Sequence, residues 1–192
     1  MDKFIRPQVM IVGAGPVGMT LAAELARYGV QIRIGDKAEH RTDKSKALVL
    51  WSRTLELLDR GIGTRRFLDV GFNVNAVNVI SNEKLVGHVE MGSVDTPYPY
   101  AMMIPQSETE RLLEERLAEL GIKVERSTEV TGITNSPDGT RAQLKHADGR
   151  DEDVLADWLV GCDGAHSIVR HSLGATFDGE TNESIGCLGT ST

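Results

Sequence analysis

The sequence predicts an α/β fold in which a parallel sheet is accompanied by a three-stranded antiparallel β-meander. The parallel part is indicated by residues 8–34, where an apolar β-type run, a glycine-rich turn, a helical pattern and an alternating run follow one another. The meander is indicated by two hairpin signals, Pro137-Asp138-Gly139 and Ala147-Asp148-Gly149, which divide residues 129–158. At 192 residues, 40% of them hydrophobic, the chain is long enough to bury such a core.

The composition argues against several kinds of partner and site. Asp and Glu number 28 against 21 Lys and Arg, so a chain of net charge −7 offers no basic surface for nucleic acid or an anionic membrane. No run approaches the roughly 18 apolar residues of a membrane span, and Pro7 and three glycines interrupt any signal peptide. Cys162 and Cys187 lack CxxC spacing and the histidines are scattered, so we expect no metal site and a cytoplasmic setting.

The first predicted elements form a βαβ unit. Residues 8–12 are a β-branched apolar run that ends at Gly13, and a helical spacing of apolar residues begins at Val17. Gly29 stands where a helix C-cap belongs, and residues 30–34 alternate between apolar and polar as a second strand should. Two adjacent parallel strands with a connecting helix are therefore expected.

The middle of the chain leaves the parallel sheet and then returns to it. Ser52 is expected to cap a short helix, and residues 73–104 change to short β-type runs broken by Asn, Gly and Pro. Ser107 and Glu110 predict a capping box at the start of the next helix. The chain is expected to rejoin the sheet at residues 122–124.

The last predicted elements follow the meander. Residues 159–161 predict a buried strand that leads into Cys162-Asp163-Gly164. A short helix from Ser167 to Leu173 is expected to close at Gly174. Residues 180–192 begin a structure that they do not finish, because a strand-like start at residues 185–188 has no partner after it.

The turn after the first strand carries a dinucleotide-binding motif, GxGxxG, formed by Gly13, Ala14, Gly15, Pro16, Val17 and Gly18. Gly13 permits the sharp turn, Gly15 lets the backbone approach a pyrophosphate, and Gly18 lets the helix pack on the strand. The helix N-terminus offers N–H groups and the positive end of its dipole to the phosphates. Asp36 can accept hydrogen bonds from both ribose hydroxyls and would repel a 2′-phosphate, so the motif predicts FAD or NAD without deciding between them.

A second motif, in residues 162–170, resembles a segment of a known family. Residues 162–170 read Cys-Asp-Gly-Ala-His-Ser-Ile-Val-Arg, which resembles the DGxxSxVR segment of the FAD-dependent aromatic hydroxylases, the p-hydroxybenzoate hydroxylase-like single-component flavoprotein monooxygenases. Residues 46–58 resemble the RAxxLxxRTLELL stretch of that family, and residues 106–113 resemble its QxETExLL segment. The resemblance extends over nearly the whole chain and favours FAD.

The resemblance implies a Rossmann-like FAD-binding domain of residues 1–72 and 105–176. Residues 73–104 and 177–192 would then be the first strands of an incomplete substrate domain. The family's third FAD segment, a Gly-Asp motif, does not occur in the sequence. We therefore expect the chain to be an N-terminal piece, completed by a C-terminal chain or associated as a homo-oligomer.

The resemblance also implies a set of cofactor residues. The GxGxxG residues, Asp36 and Lys37 would hold the ADP half of FAD, Gln106 would contact its ribityl or flavin side, and residues 163–170 would lie near the pyrophosphate and the path of the nicotinamide donor. Asp163 is expected to act through a cation or to cap the backbone before the last helix. The full set is Gly13, Ala14, Gly15, Pro16, Val17, Gly18, Asp36, Lys37, Lys46, Gln106, Asp163, Gly164, Ser167 and Arg170.

The activity implied by the resemblance is hydroxylation of an aromatic substrate, phenolic or polyketide-like, with NAD(P)H and O₂. The cofactor supplies the difficult chemistry, so no acid, base or nucleophile is assigned among the 192 residues. Lys46 stands where the family usually has Arg, which keeps the positive charge without the planar fork that suits phosphate. The alternatives are an FAD- or ADP-binding module without turnover, and a flavin-dependent reductase or dehydrogenase of the same fold.

Overall fold

The computed structural model describes residues 6–43 and 47–179 and confirms the α/β class. In chain order the elements are β1 (Val9–Val12), α1 (Pro16–Arg27), β2 (Ile32–Gly35), β3 (Val49–Leu50), α2 (Ser52–Asp59), α3 (Arg65–Leu68), β4 (Phe72–Val74), β5 (Ala76–Ser81), β6 (Lys84–Glu90), β7 (Ala101–Met103), α4 (Gln106–Glu119), β8 (Val124–Glu125), β9 (Thr128–Ser136), β10 (Gly139–His146), β11 (Asp151–Ala156), β12 (Trp158–Gly161) and α5 (Ile168–Ser172).

The central sheet contains four parallel strands in the order β12-β1-β2-β8, as the βαβ pattern and the later return to the sheet predicted. Helices α1 and α4 cover one face, where Met19 and Leu117 are among the fully buried side chains of the main core cluster. Val17, where the helical spacing was expected to begin, is 69% exposed. Its position at the first turn of α1 places it beside the groove described below rather than over the sheet.

The meander is confirmed as an antiparallel sheet in the order β11-β10-β9. Both predicted turns carry a glycine with positive φ, Gly139 at +130° and Gly149 at +81°, a conformation that favours glycine. A second core cluster, which includes Met10 of β1 and Leu144 of β10, joins the meander to the other face of the parallel sheet.

Residues 73–104 leave the parallel sheet, as predicted. β7 pairs with both β3 and β4 in a small antiparallel sheet, and β5 pairs with β6 in a separate hairpin. Met102 of β7 is fully buried in the main core cluster, whereas the hairpin is mostly exposed. The division of the chain into two domains stays a prediction, and residues 180–192 lie outside the described residues.

Both predicted N-caps are wrong. Ser52 is the first residue of α2 and Trp51 is its N-cap, while Ser107 lies inside α4. The cause in α4 is Pro105, whose carbonyl accepts hydrogen bonds from the N–H groups of residues 108 and 109, both at 3.0 Å. The helix therefore begins before Ser107 can act as a cap, and Glu110 is left for another role.

The strand predicted at residues 159–161 is present as β12, but it is less buried than expected. Within the described residues it is an edge strand, since it pairs only with β1. Trp158 is exposed and Leu159 and Val160 are half-buried. An edge position exposes side chains that a central strand would cover.

Candidate functional site

A groove of about 530 Å³ runs along the carboxyl edge of the parallel sheet. The residues that follow all four strands reach it: Gly13 follows β1, Asp36 follows β2, Arg126 follows β8 and Cys162 follows β12. In open α/β sheets, ligands bind outside the carboxyl ends of the strands. The groove is therefore the candidate site, and it includes most of the predicted cofactor residues.

Two glycines of the motif are required by the packing of the chain itself. Gly13 has φ of +100°, and a Cβ there would overlap the carbonyl group of Cys162. A Cβ on Gly18 would overlap the carbonyl oxygen of Gly13, so α1 approaches the end of β1 closely enough to exclude any side chain. These are the roles that the motif predicts for its first and third glycines.

Gly15 differs from the other two glycines because no contact in the described part of the chain requires a glycine there. Its φ is −77°, which any residue adopts, and a Cβ would have no atom within 4 Å. It is the N-cap of α1, where no side chain caps the first turn, and it lines the groove together with Pro16 and Val17. The open space thus lies at the positive end of a helix dipole, where backbone N–H groups can receive a pyrophosphate.

Asp36 lies across the groove from this helix end and organises two turns. Its Oδ2 accepts a hydrogen bond from the N–H of Ala14 at 2.6 Å, and its Oδ1 accepts one from the N–H of Ala38 at 2.8 Å. A guanidinium nitrogen of Arg126 lies 3.8 Å from Oδ2. Because each carboxylate oxygen can accept two hydrogen bonds, Asp36 can still accept hydrogen bonds from a ribose.

Other predicted residues line the same groove. Lys37 follows Asp36 along its wall, and Gln106 lies at the start of α4. The backbone N–H of Gln106 donates to the carbonyl of Ala47 at 3.1 Å, and its side-chain Nε2 donates to Glu110 at 2.8 Å. Lys46, predicted to face phosphate, lies outside the described residues.

Asp163 is a backbone cap, which is one of the two roles expected for it. Its carboxylate accepts hydrogen bonds from the hydroxyl of Ser167 at 2.6 Å and from the N–H of Ile168 at 2.7 Å. Ser167 in turn accepts from the N–H of Arg170 at 3.0 Å, as the N-cap of α5. This arrangement shapes the loop at Gly164, which has φ of +78° and lines the groove.

Arg170 and Ser167 do not line the groove. The Arg170 guanidinium lies 5.1 Å from the centre of the Phe177 ring and 3.0 Å from Nε2 of His171. Its proximity to the pyrophosphate stays a prediction, as do the ligand contacts of the other residues. Ala14 and Gly18 do not line the groove either. The N–H of Ala14 donates a hydrogen bond to Asp36, and Gly18 lets α1 pack closely against the end of β1.

The groove contains no side chain with the character of a nucleophile or a metal ligand set among those described. Burial and the nearby Asp163 charge raise the pKa of the Cys162 thiol, which keeps it protonated and unreactive. No group of three or more His, Cys, Asp or Glu side chains able to hold a metal ion occurs in residues 6–43 and 47–179.

Sequence reasoning missed three charged residues of the groove, which are Glu110, Arg126 and Glu129. Arg126 follows β8 directly, and the rule on strand ends could have located it. It donates to Glu114 of α4 at 3.1 Å. Glu110 was assigned to a capping box, but its position four residues after Gln106 is a spacing at which Gln and acidic side chains meet on a helix.

Residues 6–191 match the family of FAD binding domains. The chain belongs to that family. The Rossmann-like fold inferred from the two motifs is confirmed, and so is the choice of FAD over NAD as the bound cofactor. The groove has the features that FAD binding requires. The space beside Gly15 can accommodate a pyrophosphate, and the Asp36 carboxylate can accept hydrogen bonds from a ribose.

Monooxygenases and a synthase are among the proteins that this chain is similar to. The chain is 37% identical over 187 residues to a 6-methylpretetramide 4-monooxygenase of Streptomyces rimosus, covering 92% of this chain and 32% of that protein. It is 34% identical to a dialkyldecalin synthase of Streptomyces rugosporus, covering 89% of this chain and 35% of that one. The structure of the flavin-dependent monooxygenase PieE, in complex with FAD and substrate, matches with a TM-score of 0.82 and 27% identity over 93% of this chain and 34% of that one.

The chain therefore spans about a third of the length of the relatives it matches. None of the helices in the described part of the chain has the length and apolar character that crossing a bilayer requires.

Proposed function

We propose that this chain is the FAD-binding part of a monooxygenase that hydroxylates an aromatic substrate, phenolic or polyketide-like, with NAD(P)H and O₂. The observation that carries the proposal is the open space beside Gly15, at the N-terminus of α1 and opposite Asp36. Family membership gives the cofactor, and the monooxygenase names of the relatives support the activity.

The residues of the chain would bind and orient the cofactor. N–H groups of the first turn of α1 would bind the pyrophosphate, and Asp36 would accept hydrogen bonds from the ribose while it holds the N–H of Ala14. Lys37 would add positive charge beside the ADP half, and Asp163 would keep the Gly164 loop in shape beneath it. When bound, FAD takes electrons from NAD(P)H and delivers them to O₂ for oxygen transfer to the ring.

The substrate pocket would be completed by a further part of the protein or by a partner. Residues 73–104 and 177–192 would contribute strands to a substrate domain, together with a C-terminal segment, a separate chain or a second copy. The exposed apolar side chains of the β5–β6 hairpin, such as Val79, Ile80 and Leu85, support this division. A cytoplasmic setting is supported by two cysteines without CxxC spacing in the sequence.

Cofactor binding is tested with Gly15→Val and the matched control Gly92→Val. Both glycines have open space at the Cβ position and no positive φ, but Gly92 does not line the groove. We expect the purified chain to bind FAD and to take on its visible absorption bands. Gly15→Val should keep the circular dichroism spectrum and lose FAD affinity by about a hundredfold or more, since its side chain fills the pyrophosphate space. Equal FAD affinity in both variants would contradict this placement.

The activity is tested on the chain together with the segment or partner chain that is proposed to complete the substrate pocket. Addition of a phenol or a polycyclic aromatic should accelerate NAD(P)H oxidation and yield a product that carries one atom of ¹⁸O from ¹⁸O₂. FAD binding together with aromatic-independent NAD(P)H oxidation and no ¹⁸O product would contradict the monooxygenase proposal.

A second candidate is an FAD-binding module that performs no oxygen insertion. The name of one relative, a dialkyldecalin synthase, favours this candidate, because that name does not describe an oxygen insertion. This candidate predicts that the full-length protein binds FAD without NAD(P)H oxidation in the presence of any aromatic. The same oxidation assay therefore separates the two.

A further inference from the structure

Glu110 is a buried carboxylate on a helix whose other buried positions are mostly apolar. The residue is only 4% exposed, it lies on α4, and it lines the groove, while Leu112, Leu113 and Leu117 account for most of the other buried positions of that helix. A buried carboxylate costs folding free energy unless hydrogen bonds compensate it. Its position therefore calls for a reason other than helix formation.

Each oxygen of the Glu110 carboxylate accepts one hydrogen bond from a groove-lining residue. Oε1 accepts from Nε2 of Gln106 at 2.8 Å, and Oε2 accepts from the backbone N–H of Thr42 at 3.2 Å. Gln106 is one turn earlier on the same helix, whereas Thr42 is 68 residues earlier in the chain. One side chain thus joins α4 to the segment that follows β2.

The first hydrogen bond determines how the Gln106 amide is oriented. An ionised carboxylate only accepts, so the NH₂ group of Gln106 must face Glu110 and its Oε1 must face the opposite side. A glutamine at position 110 could accept as well as donate, and the Gln106 amide could then turn over. The second hydrogen bond anchors Thr42, which forms part of the groove wall together with Ala38 and His40.

We propose that Glu110 is a positioning residue for the cofactor. It orients the Gln106 amide, and in this way it raises the affinity for the ribityl and flavin portion of FAD without touching FAD. The proposal rests on the proposed function and on the prediction that Gln106 faces the ribityl or flavin side. If Glu110 only stabilised the fold, its replacement would lower the affinity of the groove for every ligand by the same factor.

FAD and ADP separate these two roles, since ADP lacks the ribityl and flavin portion. Calorimetric titration of the 192-residue chain with each ligand should show that Glu110→Gln weakens FAD binding about tenfold, because one of two buried donors loses its acceptor. ADP affinity should change less than about threefold. The control is Glu115→Gln on the same helix, whose side chain is 53% exposed and which should leave both affinities unchanged.

A double-mutant cycle with Gln106→Ala shows whether Glu110 acts through Gln106. Glu110→Gln should weaken FAD binding less in the Gln106→Ala background than in the wild type. Should Glu110→Gln fail to fold, Glu110→Asp keeps the charge, withdraws the carboxylate by one methylene and should give the same FAD-specific loss.

Three results would overturn the inference. FAD and ADP affinities that fall by the same factor would assign Glu110 a purely structural role, and an FAD affinity within twofold of wild type would assign it none. A wild-type chain that binds ADP but not FAD, or neither, would overturn the proposed function and this inference together.

Discussion

Replacing Glu152 by Gln tests the charge network that joins the meander to the parallel sheet. The guanidinium of Arg33 on β2 donates to Glu125 of β8 at 2.6 Å and to Glu152 of β11 at 2.7 Å. Glu152 also accepts a hydrogen bond at 2.7 Å from Nε2 of His146 on β10. The Glu152 side chain is only 11% exposed, so water and salt screen the interaction little.

The size of the effect follows from the pKa of Glu152. Hydrogen bonds from Arg33 lower that pKa from 4.5 to about 2, although burial acts in the opposite direction. Ionisation therefore favours the folded state, and the stabilisation is complete above pH 4.5 and disappears as the pH falls toward 2. At roughly 1.4 kcal/mol per unit, the contribution is about 3 kcal/mol at pH 7 and about 1 kcal/mol at pH 3.

Urea unfolding of wild type and Glu152→Gln at pH 7 and pH 3 measures this contribution. The difference in free energy of unfolding should fall from about 3 to about 1 kcal/mol between the two pH values. Asp153→Asn is the control on the same strand, because its carboxylate is 54% exposed and 3.6 Å from Arg141, and it should change stability by less than about 0.5 kcal/mol. A Glu152→Gln difference that is independent of pH would refute the reasoning.

Two further changes test the glycine-rich turn and the last helix. Gly18→Ala should destabilise the fold by about 2 kcal/mol or more in thermal unfolding, since the new Cβ overlaps the carbonyl oxygen of Gly13; an unchanged melting temperature would mean that α1 is not so close to β1. Asp163→Ala removes the acceptor for the Ser167 hydroxyl and the Ile168 N–H and should cost about 1 to 2 kcal/mol in urea unfolding. A loss below about 0.3 kcal/mol would show that this cap contributes little.

The parts of the fold that could be predicted from the sequence are those set by short-range rules. The order strand, turn, helix, strand in residues 8–35 follows from apolar periodicity, and the two meander turns follow from glycines that take positive φ. The role of Gly18 was predictable because it depends on the close approach of α1 to the carbonyl of Gly13, within a single βαβ unit. Gly13 also abuts Cys162, which follows β12, and that contact is not evident from the motif. Here local pattern and tertiary packing agree.

The start of α4 was mispredicted because two local signals compete there. Ser107 and Glu110 have the spacing of a capping box, but Pro105 precedes them and its carbonyl closes the first helical turn. Once the helix begins at Gln106, Glu110 occupies a buried position in which its hydrogen-bond partner Thr42 comes from a distant segment. Neither the competition nor the distant partner can be read from spacing alone.

The position of the groove follows from strand direction more than from any single motif. Because β1, β2, β8 and β12 are all parallel, the residues after them share one edge although they come from distant parts of the chain. The motif located the ends of β1 and β2, and the second motif located the end of β12. The same rule applied to β8 predicts that Arg126 lies at this edge, and in the structure it lies beside Asp36. Arg126 also donates a hydrogen bond to Glu114 of α4, the helix that carries Gln106 and Glu110. In this groove, the strand ends predict which residues meet, and the hydrogen bonds between those residues hold their side chains in place.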